Sequence, residues 1–164
     1  MSKYDYSQSH FAYDGHEKVS RPLLAAWRQH LLDQYHLGFN LFLTLNYNRP
    51  RSIDTVLSDA RHLFARLNRQ TLGPRWSSDE RRWQGYAVVE HPDSNIHLHA
   101  LVQPALACQG WSVEHMAAAI RLNWRSIAPA GTVDLQPVIK KPKTVISYML
   151  KERGRGALTG LSLI

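Results

Sequence analysis

The sequence predicts an α+β domain: an antiparallel sheet with two helices packed on one of its faces. Three observations carry this. Four short segments are rich in strand-forming residues, two long segments carry apolar residues at helical spacing, and these elements follow one another as strand, helix, strand, strand, helix, strand. Strands that enclose two helices in this βαββαβ order form the ferredoxin-like, or RRM-like, core. Such a core leaves one sheet face available for a ligand.

Each element has a local reason. Ser20 reads as an N-cap with Pro22 near the first helical position. Leu23, Leu24, Trp27, Leu31 and Tyr35 then recur at helical spacing up to Gly38, which adds an N-terminal helix to the core. Residues 39–47 have the composition of a central strand and end at the turn signal Asn48-Arg49-Pro50. Residues 52–70 place Ile53, Val56, Leu57, Ala60, Leu63, Phe64 and Leu67 on one stripe, with Ser52 as cap. Residues 83–90 and 96–102 flank the turn-forming stretch His91-Pro92-Asp93-Ser94-Asn95 and read as a hairpin. Ser112 caps a helix running to Ile127, where Ala128-Pro129 stops it. Gly131 releases a strand over 132–138, a basic loop covers 140–143, and a last helix spans 144–153 until Gly154 and Gly156 end it.

At 164 residues, without internal repeat or low-complexity linker, the chain is expected to form one domain over residues 21–164, preceded by a polar arm over 1–20. The formal charge of +7, with nine histidines uncounted, makes a polyanion the natural partner class. That balance fits nucleic acid and an anionic membrane surface alike. No apolar run is long enough to span a bilayer, and the first twenty residues lack the apolar core of a signal peptide. A cytoplasmic protein is expected, or a nuclear one in a eukaryotic or viral setting. The single Cys108 excludes an internal disulfide framework and reads as a passive thiol.

Chemistry concentrates in two places. His97 and His99 alternate along one strand and so project from the same face, where two imidazoles can chelate. Glu90 ends the partner strand. If the turn spans 91–96, Glu90 lies opposite His97 on that face; a one-residue slip would present His91 instead. Two imidazoles and a carboxylate, with open positions for water and phosphate, suit Mg²⁺ or Mn²⁺ rather than a closed zinc site. Tyr148 and Lys151 are three apart on the last helix and share a face. An ordinary tyrosine costs roughly 4 kcal/mol to ionise at pH 7, so a nucleophilic phenol needs a cationic neighbour such as Lys151.

The segments Phe42-Leu43-Thr44-Leu45-Asn46, Ile96-His97-Leu98-His99 with Glu90 before it, and Tyr148-Met149-Leu150-Lys151 together resemble the HUH endonuclease domain of rolling-circle replication initiators, across residues 39–153. The resemblance implies that Glu90, His97 and His99 bind a divalent metal, that Tyr148 attacks a DNA phosphodiester and keeps the 5′ phosphate, and that Lys151 positions the phosphate or a water. It implies single-stranded or melted origin DNA as substrate, with a host helicase as a candidate partner. A single candidate tyrosine on the last helix points to the one-tyrosine type. A short initiator and an excised nuclease domain both fit the chain's extent. Basic and polar residues surround the motifs: Thr44, Asn46, Arg49 and Arg51 at the first strand's end, Lys140, Lys141 and Lys143 before the tyrosine, and Arg153 and Arg155 after it. These are candidate DNA contacts. Two other readings compete. A single-tyrosine transposase shares the histidine pair but typically carries glutamine where this chain has Lys151; a noncatalytic single-strand-binding module would use the histidines only to line the sheet.

Overall fold

The computed structural model describes residues 20–91, 95–151 and the backbone of 162–163. Residues 1–19 of the expected arm lie outside them, as do Arg153, Arg155 and the glycines expected to end the last helix. In chain order the elements are α1 (Arg21–His36), β1 (Leu41–Asn46), α2 (Ile53–Leu72), β2 (Gln84–Glu90), β3 (His97–Gln103), α3 (Val113–Ile127), β4 (Thr132–Pro137), α4 (Pro142–Met149) and β5 (Ser162–Leu163). The strands β4, β1, β3 and β2 lie side by side in that order, each antiparallel to its neighbour, and the two-residue β5 extends the β2 edge. From β1 to β4 this is the expected ferredoxin-like α+β core.

Helix starts follow the capping chemistry. The hydroxyl oxygens of Ser20, Ser52 and Ser112 accept the backbone N–H of Leu23, Thr55 and His115, each satisfying a donor that the first helical turn leaves open. The last helix departs from expectation. It begins at Pro142 rather than Thr144, because proline suits the first helical position, and Lys141 before it turns the chain with φ of 58°. It ends at Met149, with Leu150 as C-cap, so Lys151 lies just beyond the helix.

Alternation along the strands sorts the side chains onto two faces. On one, Leu43, Leu45, Ala87, Leu98, Ala100 and Val102 are buried beneath Val56, Ala60 and Leu63 of α2 and Ile120 and Trp124 of α3. The opposite face, expected to be free for a ligand, is shared. There Leu31 of α1 and Ile146 and Met149 of α4 close over Val88, Leu101 and Phe39. The additional helices cover the apolar end of that face because Tyr86, Leu101 and Phe42 form a cross-strand row there that water would otherwise wet. At the polar end Thr44, Asn46 and His97 are part-exposed, while Glu90 and His99 are buried. Cys108 is free and buried, as a passive thiol should be.

Gly131 joins α3 to β4 at a close crossing. A Cβ added there would lie 2.5 Å from both the Asn46 carbonyl oxygen and the Trp124 indole nitrogen. We expect Gly131→Ala to destabilise the fold by about 1–3 kcal/mol, read from chemical denaturation midpoints, because backbone and a buried tryptophan must move.

Candidate active site

The site is built from the β2–β3 hairpin upward. The antiparallel register pairs Glu90 with His97 and Val88 with His99, and β1 continues the rows by placing Asn46 beside His97 and Thr44 beside His99. All these side chains share the face opposite α2 and α3. Glu90, rather than His91, therefore stands in the histidine row. His91 leaves the strand with φ of 51°, and its ring comes to rest 5.7 Å from that of His97.

Although Glu90 faces His97 across the strands, its closest imidazole is the diagonal one. Glu90 Oε2 lies 3.2 Å from His99 Nε2 and 3.3 Å from Lys151 Nζ. Diagonal neighbours in antiparallel strands are within reach of long side chains, which explains the preference. The far side of the His99 ring is also engaged: its Nδ1 lies 3.0 Å from the Thr44 hydroxyl, and Phe42 stacks on the ring with centroids 5.2 Å apart. The α4 segment completes the group. The Tyr148 ring meets His99 edge-on at 5.3 Å, and Lys151 Nζ sits 3.8 Å from the centre of the Tyr148 ring. Ile146 and Met149 supply the buried side of α4, whereas Tyr148 is 44% exposed and open to a ligand.

No protein-family model, curated protein or solved structure matches this chain. The site must be read from its own chemistry.

Both carboxylate oxygens of Glu90, Nδ1 of His97 and Nε2 of His99 are buried atoms with no aligned hydrogen bond. The 3.2 Å approach of His99 to Glu90 is an ion-pair distance without hydrogen-bond alignment. Buried polar atoms are normally paired, and leaving one unpaired costs about 1–3 kcal/mol. A carboxylate and two imidazoles with uncommitted lone pairs fit a hard divalent cation such as Mg²⁺ or Mn²⁺. The fit is incomplete: among the described residues, no three His, Cys, Asp or Glu side chains already enclose an ion. Glu90 and His99 are in contact, while the His97 ring centre stands 6.3 Å from that of His99.

Electrostatics favour the same use. Burial pushes the Glu90 carboxyl up, but His99 and Lys151 beside it outweigh this and hold it below the ordinary glutamate range. Burial, reinforced by His99, holds His97 below the ordinary histidine range, which favours the neutral ligand form. For Lys151 burial acts downward, yet Tyr148 and Glu90 raise it overall, so it remains an ammonium at neutral pH.

The residues expected to touch DNA divide. Lys140, Lys141 and Lys143 are exposed around the start of α4, and Arg49 is exposed beyond β1. Arg51 is also exposed but lies within electrostatic reach of Asp59 and Tyr47, on the α2 side of the sheet. Asn46 Oδ1 accepts the Asn48 N–H and so shapes the turn, while Thr44 reaches His99. Two neighbours of the site are not singled out by sequence reasoning. Phe42 is one, and Asp134 is the other: it pairs with Thr44 from β4, is exposed, and accepts a hydrogen bond from Gln136. Alternation along β1 puts Phe42 on the histidine face, but no sequence signal pairs β4 with β1 in this register.

A carboxyl held low when folded contributes stability above its unfolded value, near pH 4.3, and that contribution disappears as the pH falls through the lower folded value. In metal-free protein the stability gap between wild type and Glu90→Gln should therefore be widest near neutrality and shrink on acidification below about pH 4.3, measured by denaturant titration across pH.

Proposed function

We propose that this chain is a metal-dependent, single-tyrosine strand transferase of the HUH type, which nicks and rejoins single-stranded origin DNA to initiate rolling-circle replication. One observation carries the reading: Tyr148 and Lys151, about fifty residues beyond the hairpin in sequence, lie in one group with Glu90, His97 and His99. A packing role for Tyr148 would bury it, and its exposure argues otherwise.

Glu90, His97 and His99 would hold the divalent cation, which supplies Lewis-acid polarisation of the scissile phosphodiester. The Tyr148 phenolic oxygen attacks the phosphorus in line. A P–O bond forms to tyrosine, the bond to the 3′ oxygen breaks, and the phenolic proton lost is balanced by the proton that the 3′ hydroxyl gains. Lys151 keeps its own proton, so it serves as the fixed positive charge beside the phenol oxygen and the phosphate rather than as a base. The phosphotyrosine conserves the energy of the broken linkage, and a later 3′ hydroxyl reverses the step. Lys140, Lys141 and Lys143 add positive charge at the amino end of α4, which supplies affinity for a polyanion. The exposed Tyr148 suits a single strand, whose phosphates can reach it without unpairing a duplex.

Incubation with Mn²⁺ and single-stranded origin-like oligonucleotides should give a covalent protein–DNA adduct. Tyr148→Phe should give none, and identical products from both proteins would refute the nucleophile. His97→Ala should lose cleavage while retaining DNA binding. Lys151→Ala should slow cleavage by roughly 100-fold, the scale for removing one preorganised charge partner. Replacing Lys140 and Lys141 by alanine should flatten the salt dependence of single-strand affinity, its log–log slope falling by about 0.7 for each phosphate no longer neutralised.

A further inference from the structure

We propose that Thr44 is a positioning residue that orients the His99 imidazole toward the cation. This rests on the metal reading above. An imidazole offers a lone pair from one ring nitrogen only when the proton sits on the other, and metal-binding histidines are usually held by an acceptor for that proton. His99 has its two nitrogens divided in this way. Nε2 faces Glu90 Oε2 at 3.2 Å, and Nδ1 faces the Thr44 hydroxyl at 3.0 Å. With the proton on Nδ1, Thr44 Oγ1 accepts it and Nε2 is the atom presented beside the carboxylate.

The pairing is built into the backbone, since Thr44 and His99 are cross-strand partners on one face. The ring has little freedom to turn away: it is 4% exposed, and Phe42 stacks on it with planes 15° apart. His97 differs, because its Nδ1 is buried without a hydrogen bond. His99 and Glu90 thus form the preset part of the site, and His97 is the ligand that must adjust. In this arrangement Thr44 Oγ1 uses one acceptor lone pair on His99.

The test is Mn²⁺ affinity of the full chain without DNA, read by electron paramagnetic resonance, for wild type, Thr44→Val and Thr44→Ser. Valine keeps the shape and removes the hydroxyl; serine keeps the hydroxyl. Thr44→Val should bind Mn²⁺ about 10- to 100-fold more weakly, with Thr44→Ser within about 2-fold of wild type. Equal Mn²⁺ affinity of the valine variant, or equal losses in both variants, would overturn the assignment while leaving the metal reading intact. Absence of Mn²⁺ binding by wild type would overturn both. Should Thr44→Val not fold, long-range ¹H–¹⁵N correlations on Mg²⁺-loaded wild type decide directly: a proton on His99 Nδ1 supports the proposal, and a proton on Nε2 refutes it.

Discussion

The register of β3 between β1 and β2 is the constraint on which the site depends. Because side chains alternate, the same pairing that sends Leu98, Ala100 and Val102 into the layer beneath α2 and α3 sends His97 and His99 to the other face, beside Glu90 and Thr44. A slip of one residue would exchange the sets, placing imidazoles in an apolar layer and leucine in water. Each fully buried leucine is worth about 1.5–3 kcal/mol, so exposing even Leu98 and Val102 forfeits a large part of the roughly 5–15 kcal/mol that holds a domain together. The core thus enforces the geometry of the polar face without touching it.

The second half of the site is aimed by a different surface. Nothing in the sheet's hydrogen bonding places α4; its position comes from burying Ile146, Met149 and Leu150 against Leu31, Val88 and Leu101. Helix α1 is the other wall of that small core, and Tyr35 of α1 donates a hydrogen bond to the Val138 carbonyl at the start of the connection into α4. A helix only eight residues long would not persist alone, so its docking is what gives Tyr148 a fixed address. Two apolar clusters on opposite faces of the sheet meet the candidate site from either side. The sheet holds one half, and the α1–α4 layer holds the other.

Much of this could be read from the residues. Periodicity separates strands from helices because burial on one side of an element imposes a period of 2 or 3.6, and Glu90 opposite His97 follows from the turn between them. What periodicity does not contain is which long-range partner a side chain finds. Thr44 and Asn46 read as surface contacts because each is polar on a strand; their engagement with His99 and Asn48 depends on pairings and turn shape outside the strand itself. Arg51 follows Arg49 by two residues, yet it reaches toward Asp59 on the other side of the sheet, since the chain turns between β1 and α2. The start of α4 is hidden for a local reason: its lysines suggest loop, while Pro142 and the left-handed Lys141 mark a helix beginning.

The site also carries a thermodynamic signature of use. Glu90, 1% exposed, and His99, 4% exposed, are buried on the sheet face that also carries Val88, Phe42 and Leu101. A buried carboxylate of this kind seldom adds stability over a hydrophobic replacement, because removing its charge from water costs several kcal/mol before attraction returns any of it. Four buried polar atoms without aligned partners add to that cost. A fold selected for stability alone would have no reason to keep them, and one that must present lone pairs to a cation has a direct one. Lys151 partly offsets the carboxylate's charge at 3.3 Å, but its side chain is 38% exposed and held from the helix end rather than the sheet. Under the proposed function, the buried Glu90 and His99 would hold the metal and the exposed Tyr148 and Lys151 would meet the strand.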